Sequence, residues 1–256
     1  SALQLENWPL QFCHWLVRPV VCPRNVALMR ELSWIMNFPD RSFLVDYILG
    51  MRTLGWADPA PRFIPRTMEP LYHMDTFWDD VDVHNQEILN RVRSSGDPKL
   101  DHASWEKTAA EFKDGALKGP YFSLEEVYRV LGPLIRLLPR FPIWEQHGGA
   151  AEPTCRNIDN GLAGEQNNFC GNLFTNRPAD LDLFIGLLRA VLEHFPGSPL
   201  MGFTSDFKSA YRQCSAYPPD APGWVLCIWC PVHNCQVFGI AGAQLFGCAL
   251  APTNFC

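Results

Sequence analysis

Segment 206–213 holds the residues whose types and spacing are best suited to chemistry, and it reads Asp-Phe-Lys-Ser-Ala-Tyr-Arg-Gln. The apolar run at 200–203 just before it predicts a short buried strand that delivers Asp206 at its end. Hard cations such as Mg²⁺ prefer oxygen ligands and a few fixed carboxylates, so Asp206 is a candidate metal ligand. Taken alone, the pattern also fits a strand followed by a turn in which Asp206 is a cap.

A second segment, 246–255, combines a glycine turn with small residues and then Pro252 and Phe255. Between the two segments, apolar runs at 224–230 and 235–240 flank the turn-forming residues 231–234. Two runs of strand length around such a turn predict a β-hairpin. The hairpin is therefore expected to separate the two segments along the chain.

The two segments together resemble motifs A and B of the reverse transcriptases of retroelements. Motif A commonly reads D-[LF]-K-S-A-Y-x-Q, and 206–213 matches it nearly completely. Motif B reads L-P-F-G-L-x-x-A-P-x-x-F, and 246–255 keeps its Phe, Gly, Ala, Pro and Phe in register. The family also places a hairpin between these motifs.

A third segment, 155–160, is similar to the K-x-R-x-I-D-D segment of the fingers in some cellular and dinoflagellate-type retroelement enzymes. Arg156 takes the Arg position, whereas Thr154 stands where the family usually has Lys and Asn160 replaces the last Asp. The three segments follow one another in the family order. The resemblance covers about residues 150–256, and residues 1–100 carry no recognisable family pattern.

The resemblance implies an RNA-directed DNA polymerase that transfers nucleotides by a two-metal mechanism, with Mg²⁺, or Mn²⁺ in its place, as the cofactor. Asp206 would be catalytic and would bind the metal together with the backbone carbonyl of Phe207. Arg156 would hold the incoming triphosphate with its planar fork of donors, and Tyr211 would pack under the sugar and exclude a 2′-OH. The resemblance assigns nucleotide binding to Arg156, Tyr211, Phe246 and Gly247. It assigns supporting positions of the motifs to Ala210, Gln213, Pro252 and Phe255, with Gln213 expected to brace the start of a following helix.

The implied partners are an RNA or DNA template-primer and a deoxynucleoside triphosphate, and no membrane. In the family a [YF]-x-D-D hairpin follows motif B, and the sequence stops before one could occur, so this chain by itself is expected to be an inactive fragment. Residues 77–80, Phe-Trp-Asp-Asp, fit that pattern but precede motif A, and acidic residues favoured at a helix N-terminus explain them better. The alternative is a decayed or domesticated palm that binds nucleic acid or protein without catalysis.

Three cysteines and a histidine form a C-x₂-C-x₂-H-x-C pattern within the predicted hairpin, at Cys227, Cys230, His233 and Cys235. These ligand types suit zinc, but the spacing is tighter than zinc sites normally allow. The period-2 alternation of a strand also places Cys227 and Cys230 on opposite faces. A hairpin with incidental thiols is therefore favoured, and no zinc is expected.

The elements that must position these segments are predicted from periodicity and capping residues. Helices are predicted over 26–36, 42–54, 82–93 and 181–195, with a further helix that is capped by Ser104 and stops at Gly115. Ser123 and Glu126 form a capping box for another helix. The fold class is therefore α+β.

The resemblance makes this fold a partial right-hand polymerase: fingers and the first half of the palm, with an antiparallel sheet and flanking helices. Three regions are expected along the chain. They are a helical N-terminal extension (1–72), a helical lead-in to the fingers (73–149) and the incomplete fingers and palm portion (150–256).

Composition sets the outer limits of these expectations. Apolar residues make up 47% of the 256 and charged residues 19%, which excludes a disordered or fibrous chain. A net charge of −6 argues against the basic surface of a dedicated nucleic-acid binder. Ten cysteines without a signal peptide or an apolar run of bilayer length indicate reduced thiols in an intracellular protein, cytoplasmic or nuclear. The sequence leaves the oligomeric state open.

Overall fold

A computed structural model describes most of the chain, namely residues 8–38, 40, 42–57, 64–146, 152–175, 181–197, 199 and 209–252. Three expected site residues, Asp206, Phe207 and Phe255, lie outside the described residues, as does the strand predicted at 200–203. The other expected site residues are all described.

The described strands form two sheets. A three-stranded sheet has the order β1-β6-β2, and a five-stranded sheet has the order β3-β8-β7-β4-β5. The strands are β1 (Gly55–Trp56), β2 (Ile64–Met68), β3 (Leu117–Tyr121), β4 (Leu137–Glu145), β5 (Thr154–Asp159), β6 (Cys170–Thr175), β7 (Val225–Cys230) and β8 (Cys235–Ala241).

Both sheets are mixed. β1 and β6 are parallel, as are β4 and β7, whereas the other neighbouring strands are antiparallel. The α+β class is therefore confirmed, but the expectation of a purely antiparallel sheet is wrong. The physical reason lies in the connections: β4–β5 and β7–β8 are antiparallel pairs, and the long stretch between β5 and β7 returns the chain beside β4 in the same direction.

Seven α-helices are described: α1 (Arg18–Val21), α2 (Val26–Ile35), α3 (Phe43–Leu49), α4 (Val81–Arg91), α5 (Pro98–Asp114), α6 (Leu124–Leu131) and α7 (Leu181–His194). The helices predicted over 26–36, 82–93 and 181–195 are confirmed. The helix predicted over 42–54 is shorter, because Gly50 takes a φ of +99° that ends α3. The ranges 1–72 and 73–149 also contain strands and are not purely helical.

Capping side chains fix the ends of the helices around the five-stranded sheet. The carboxylate of Asp97 accepts hydrogen bonds from the amides of Lys99 and Leu100, so α5 begins two turns earlier than Ser104, which was predicted as its cap. The hydroxyl of Ser123 accepts from the amide of Glu126, which confirms the N-terminal cap of α6. α5 ends, as predicted, at Gly115, whose φ is +75°.

The five-stranded sheet is covered on both faces, and its strand β7 is buried along nearly its whole length. Leu226, Ile228 and Cys230 belong to an apolar cluster that includes Trp105 and Phe112 of α5. The intervening residues of β7 belong to a second cluster, which contains residues of α4 and α6. Cys227 is in this second cluster, so its predicted placement on the face opposite Cys230 is confirmed.

Residues 51–54 of the N-terminal region are docked on residues 215–220. The amide of Met51 donates to the carbonyl of Ser215 at 3.0 Å, and the amide of Tyr217 donates back to the carbonyl of Met51 at 2.9 Å. A single carboxylate oxygen of Asp220 accepts from the amides of Thr53 at 2.7 Å and Leu54 at 3.0 Å. None of the described helices has the length and apolar character needed to cross a bilayer.

Candidate functional site

Two aromatic side chains join the segment that resembles motif A (the motif A segment) to the segment that resembles motif B. Tyr211 lies in the short 3₁₀ helix Ala210–Gln213, which follows Ser209 in the left-handed conformation with a φ of +53°. Its ring meets the ring of Phe246 in an edge-on arrangement, with centroids 5.0 Å apart and an interplanar angle of 60°. Phe246 is 48% exposed, so this pair forms an aromatic surface that a ligand can reach.

The loop at Gly247 packs tightly against the end of β5. Asn167 holds this loop, because its side-chain amide donates to the carbonyl of Gly247 at 2.8 Å and its oxygen accepts from the amide of Ala249 at 2.8 Å. A Cβ atom at Gly247 would lie 1.6 Å from the carbonyl oxygen of Asp159. The motif therefore requires glycine here because two backbones approach closely, not because of an unusual dihedral angle.

A buried cluster of two arginines and two acids connects the third segment to motif A. Arg140 of β4 forms a two-pronged pair with Asp159 at 2.7 and 3.1 Å, and a further ion pair with Glu111 of α5 at 2.7 Å. Arg212 lies 2.9 Å from Asp159 and 2.9 Å from Glu111 through the same nitrogen, Nη2. We call these four residues the ion-pair cluster; it ties β4, β5, α5 and the motif A segment together.

The electrostatics of this cluster favour its ionised form. Burial by itself would raise the pKa of Asp159, but the guanidinium groups of Arg140 and Arg212 outweigh burial and hold that pKa below its usual range. Burial would likewise lower the pKa of Arg140, but Asp159 and Glu111 raise it. Two positive and two negative charges balance, while Nε and Nη1 of the buried Arg212 have no hydrogen-bond partner among the described residues.

Arg156 lies on the opposite face of β5 from the ion-pair cluster. It stands across from Ile143 of β4 and forms an ion pair of 2.7 Å with Glu145. Half of its side chain is exposed. A triphosphate that binds Arg156 must therefore displace Glu145 or share the guanidinium with it.

The remaining motif residues have mixed surroundings. Gln213 accepts a hydrogen bond of 3.1 Å from Arg24, and the chain after it forms bridges and the 3₁₀ helix Pro218–Gly223, not the following helix that it was expected to brace. Ala210 opens the short 3₁₀ helix, and Pro252 is exposed next to buried Ala251. Gln213 therefore has a structural contact with the N-terminal region instead.

In the second acidic motif, at 77–80, only Phe77 is buried, and both aspartates are exposed. Phe77 is fully buried, and Asp80 pairs at 2.7 Å with the fully buried Arg136, whose guanidinium also lies over the Phe77 ring. The hydrogen bond that Asp80 accepts from Arg136 holds the pKa of Asp80 below its usual range, because it outweighs the opposing effect of burial. This acid is the partner of a core arginine just before α4.

The expected metal ligands, the Asp206 carboxylate and the Phe207 carbonyl, are oxygen donors of the kind that Mg²⁺ prefers, so the donor chemistry fits the ion. Among the described residues, no group of three or more Cys, His, Asp and Glu side chains is arranged to hold a metal. Of the hairpin cysteines, Cys230 and Cys235 stand opposite each other, whereas Cys227 lies in the other apolar cluster. Burial raises the pKa of Cys227 to about 12, and the His233 ring packs edge-on against Phe122.

Sequence reasoning missed Arg140, Glu111, Arg212 and Asn167 as parts of this site. Arg140 carried a usable pattern, because it interrupts an apolar strand at an inward-facing position, and buried charges are nearly always paired. No sequence pattern marked Asn167, since a single asparagine in a polar loop does not reveal which backbone groups it binds.

No protein-family model, curated protein or solved structure matches this chain.

Proposed function

We propose that the chain is the nucleotide-binding part of a retroelement reverse transcriptase, with the fingers and first half of the palm of a right-hand polymerase. The observation that carries this proposal is the convergence of three segments that match family motifs but are far apart in sequence. Tyr211 meets Phe246, Gly247 packs on Asp159, and Asp159 pairs with Arg212. A chance resemblance of separate strings gives no reason for them to meet at one place.

In this proposal, each described residue has a distinct task. Arg156 binds the triphosphate, and its exposed guanidinium is free to exchange Glu145 for phosphate oxygens. Tyr211, held by Phe246, packs under the sugar and leaves no room for a 2′-OH. Gly247 allows the nucleotide and the template-primer to approach the backbone closely.

Asp206 and the carbonyl of Phe207 would hold Mg²⁺, with Mn²⁺ as an alternative. When bound, such an ion supplies charge stabilisation for an in-line attack on the α-phosphate. The ion-pair cluster fixes β5 relative to the segment that carries Tyr211. Arg156, on the other face of β5, would reach the triphosphate from beside Glu145.

The test is nucleotide binding by the chain, measured with fluorescent dATP and ATP analogues in Mg²⁺. We expect tighter binding of the deoxynucleotide, and we expect Tyr211→Ala to reduce this preference by about tenfold. Tyr72→Ala, at an exposed tyrosine outside the site, is the matched control. Equal binding of both nucleotides by the unaltered chain, or no binding at all, would contradict the proposal.

A second candidate function is a palm that binds nucleic acid without catalysis. The observation that favours it is the ion pair with Glu145, which already occupies the guanidinium of Arg156 that a triphosphate would need. The same experiment separates the two functions. Binding of an oligonucleotide without any Mg²⁺-dependent binding of dATP would support the non-catalytic palm.

A further inference from the structure

Two cysteines face each other across the tip of the β7–β8 hairpin. Cys230 is the last residue of β7 and Cys235 is the first residue of β8, and they are directly opposite in the antiparallel register. Both contribute to the apolar cluster that contains Leu226 and Ile228. Side chains of directly opposite residues point to the same face of a sheet, so the two thiols are neighbours. We call them the hairpin thiol pair.

The spacing of the hairpin thiol pair suits a disulfide. Directly opposite residues of an antiparallel pair have Cα atoms about 4.5 Å apart when they exchange no backbone hydrogen bonds, and about 5.5 Å apart when they do. Both values lie within the range of about 4.4–6.8 Å that disulfides span. An S–S bond can therefore form here without a change of strand register.

The two thiols differ in exposure, and this difference gives an order of reaction. Cys235 is partly exposed beside the exposed turn residues His233 and Asn234, whereas Cys230 is fully buried. A small oxidant therefore reaches Cys235 from solvent, and the sulfur that it oxidises lies next to Cys230. An accessible thiol beside a resolving thiol is the arrangement that redox-sensitive sites use.

A second pair of thiols is closed to solvent and provides a contrast. Cys170 and Cys248 both donate to the carbonyl of Thr53, at 3.4 and 3.6 Å, and both are buried. Burial raises the pKa of Cys248 to about 12, so the thiolate that reacts with oxidants is scarce at neutral pH. We expect Cys170 and Cys248 to stay reduced under conditions that oxidise the hairpin thiol pair.

We propose that the hairpin thiol pair is a redox site that forms a reversible disulfide with hydrogen peroxide as the oxidant. The thiolate of Cys235 attacks one peroxide oxygen, the O–O bond breaks, and a sulfenic acid forms while the other oxygen leaves as water after protonation. The Cys230 sulfur then attacks the Cys235 sulfur, so that the S–S bond forms, the S–O bond breaks and a second water leaves. In total, two thiols lose two electrons and two protons, and the peroxide is reduced to two waters.

Oxidation locks the tip of the hairpin, which is also attached to α4. The side-chain amide of Gln236 donates to the carbonyls of Leu89 and Val92 at the C-terminal end of this helix. Because a disulfide restricts the unfolded chain, the oxidised protein should unfold at a higher urea concentration than the reduced protein. The redox site rests on the register of β7 and β8, and it does not depend on nucleotide binding at Tyr211 and Phe246.

The test is peptide mapping of the whole chain after mild treatment with hydrogen peroxide, alkylation of the remaining thiols in denaturant and chymotryptic digestion. Cleavage after Trp229 and Phe238 isolates the hairpin thiol pair in one peptide, 230–238. Cleavage after Trp224 and Trp229 isolates Cys227 as an internal control. We expect peptide 230–238 to carry no alkyl group and to be lighter by two hydrogen atoms than the free dithiol, while Cys227 stays alkylated. Dithiothreitol before alkylation should restore both alkyl groups.

Variants test the order of reaction. Cys235→Ser should leave Cys230 reduced and alkylated after peroxide, and Cys230→Ser should leave Cys235 as a sulfenic acid that dimedone traps. Cys22→Ser, at an exposed cysteine outside the hairpin, is the matched control and should not change the yield of the disulfide. Oxidation should raise the urea midpoint of the unaltered chain and of Cys22→Ser, but not that of Cys235→Ser.

Each outcome decides the matter. A peptide 230–238 that stays fully alkylated, or that gains oxygen at Cys235 while Cys230 remains a thiol, would overturn the redox site. Pairing of Cys235 with any other cysteine would overturn it as well. The mapping uses the unaltered chain, so it does not depend on the folding of a variant. Because neither nucleotide nor metal is present, it can succeed while the dATP experiment fails, and the reverse.

Discussion

The loop at Gly247 can contact the end of β5 only because the side chain of glycine is a single hydrogen atom. A Cβ atom there would overlap the carbonyl oxygen of Asp159, which is backbone and cannot rotate away. We expect Gly247→Ala to lower the free energy of unfolding by about 3 kcal/mol, at the upper end for overpacking. Urea unfolding followed by tryptophan fluorescence measures this change.

The control for that substitution is Gly186→Ala on α7, where a Cβ atom would meet nothing within 4 Å. Alanine is a better helix former than glycine, so this variant should be more stable by up to about 1 kcal/mol. If both alanine variants gave the same stability, the close approach of the Gly247 loop to β5 would be refuted.

Glu145 is the residue that competes with a triphosphate for Arg156. Its carboxylate lies 2.7 Å from Arg156, and both side chains are partly exposed, so the pair is weak and exchangeable. We expect Glu145→Gln to strengthen dATP binding about two- to fivefold, the value of an exposed ion pair, without changing the preference for deoxynucleotide. Titration of the fluorescent dATP analogue checks this, and weaker binding by the variant would show that Glu145 assists the nucleotide.

At the scale of elements, the ion-pair cluster joins a helix, two strands and the motif A segment. Removing one acid leaves two buried guanidinium groups with too little negative charge, so we expect Asp159→Asn to cost about 3–5 kcal/mol of unfolding free energy. Glu31→Gln, which breaks the exposed Arg30 pair, should change stability by less than about 1 kcal/mol. A similar small loss in both variants would show that the cluster adds little to the fold.

The cluster also predicts how stability depends on pH. The pKa of Asp159 is lower in the folded protein than in the unfolded chain, so its contribution is fully present above the unfolded pKa of about 3.9 and is lost as the pH falls through the folded value. We therefore expect unaltered protein to lose stability below about pH 4, and Asp159→Asn to lose less over that range. Urea midpoints at several pH values measure this, and parallel curves would assign the acid loss to other carboxyl groups.

The sequence predicts the elements whose cause is local, and this explains where it succeeds. The capping residues Ser123 and Gly115 and the periodic run of α7 act within a few residues, and the helices that they mark are found. The same holds for the β7–β8 hairpin, whose turn follows directly from 231–234. Strands β1 to β6 were not predicted from the sequence. Most of them pair with segments that are far away in the chain, β1 and β2 with β6, β3 with β8 and β4 with β7, and only this distant pairing makes them strands.

The same distinction applies to the candidate site. Arg156, Tyr211, Phe246 and Gly247 were expected from motifs, and the structure brings Tyr211 to Phe246. The ion pairs that bring the segments together depend on Arg140 and Glu111, which are far from Asp159 in the chain. Spacing along a sequence cannot reveal such partners, since charge pairing in a core is decided by the final topology.

At the scale of the whole molecule, Asp220 links the N-terminal region to the segment after motif A. Its buried Oδ2 atom accepts from the amides of Thr53 and Leu54. Burial raises the pKa of Asp220 despite these hydrogen bonds, so the ionised carboxylate is held at some cost at neutral pH. The geometry nevertheless needs an oxygen at this point.

We expect Asp220→Ala to lower the unfolding free energy by about 2–4 kcal/mol, because it leaves two buried amides without an acceptor. Asp220→Asn keeps an acceptor oxygen and has no charge to desolvate, so its loss should stay below about 1 kcal/mol at pH 7. Since the folded pKa is raised, the wild-type carboxyl contributes most below its unfolded pKa and less as the pH rises, and the Asn variant should lack this dependence.

Hydrogen exchange by mass spectrometry gives the decisive contrast: in Asp220→Ala the peptide over residues 50–57 and its partner β6 should lose more protection than β7 and β8. Equal loss of protection in both sheets would mean that the N-terminal region and the five-stranded sheet unfold as one unit, and that Asp220 is not the link between them.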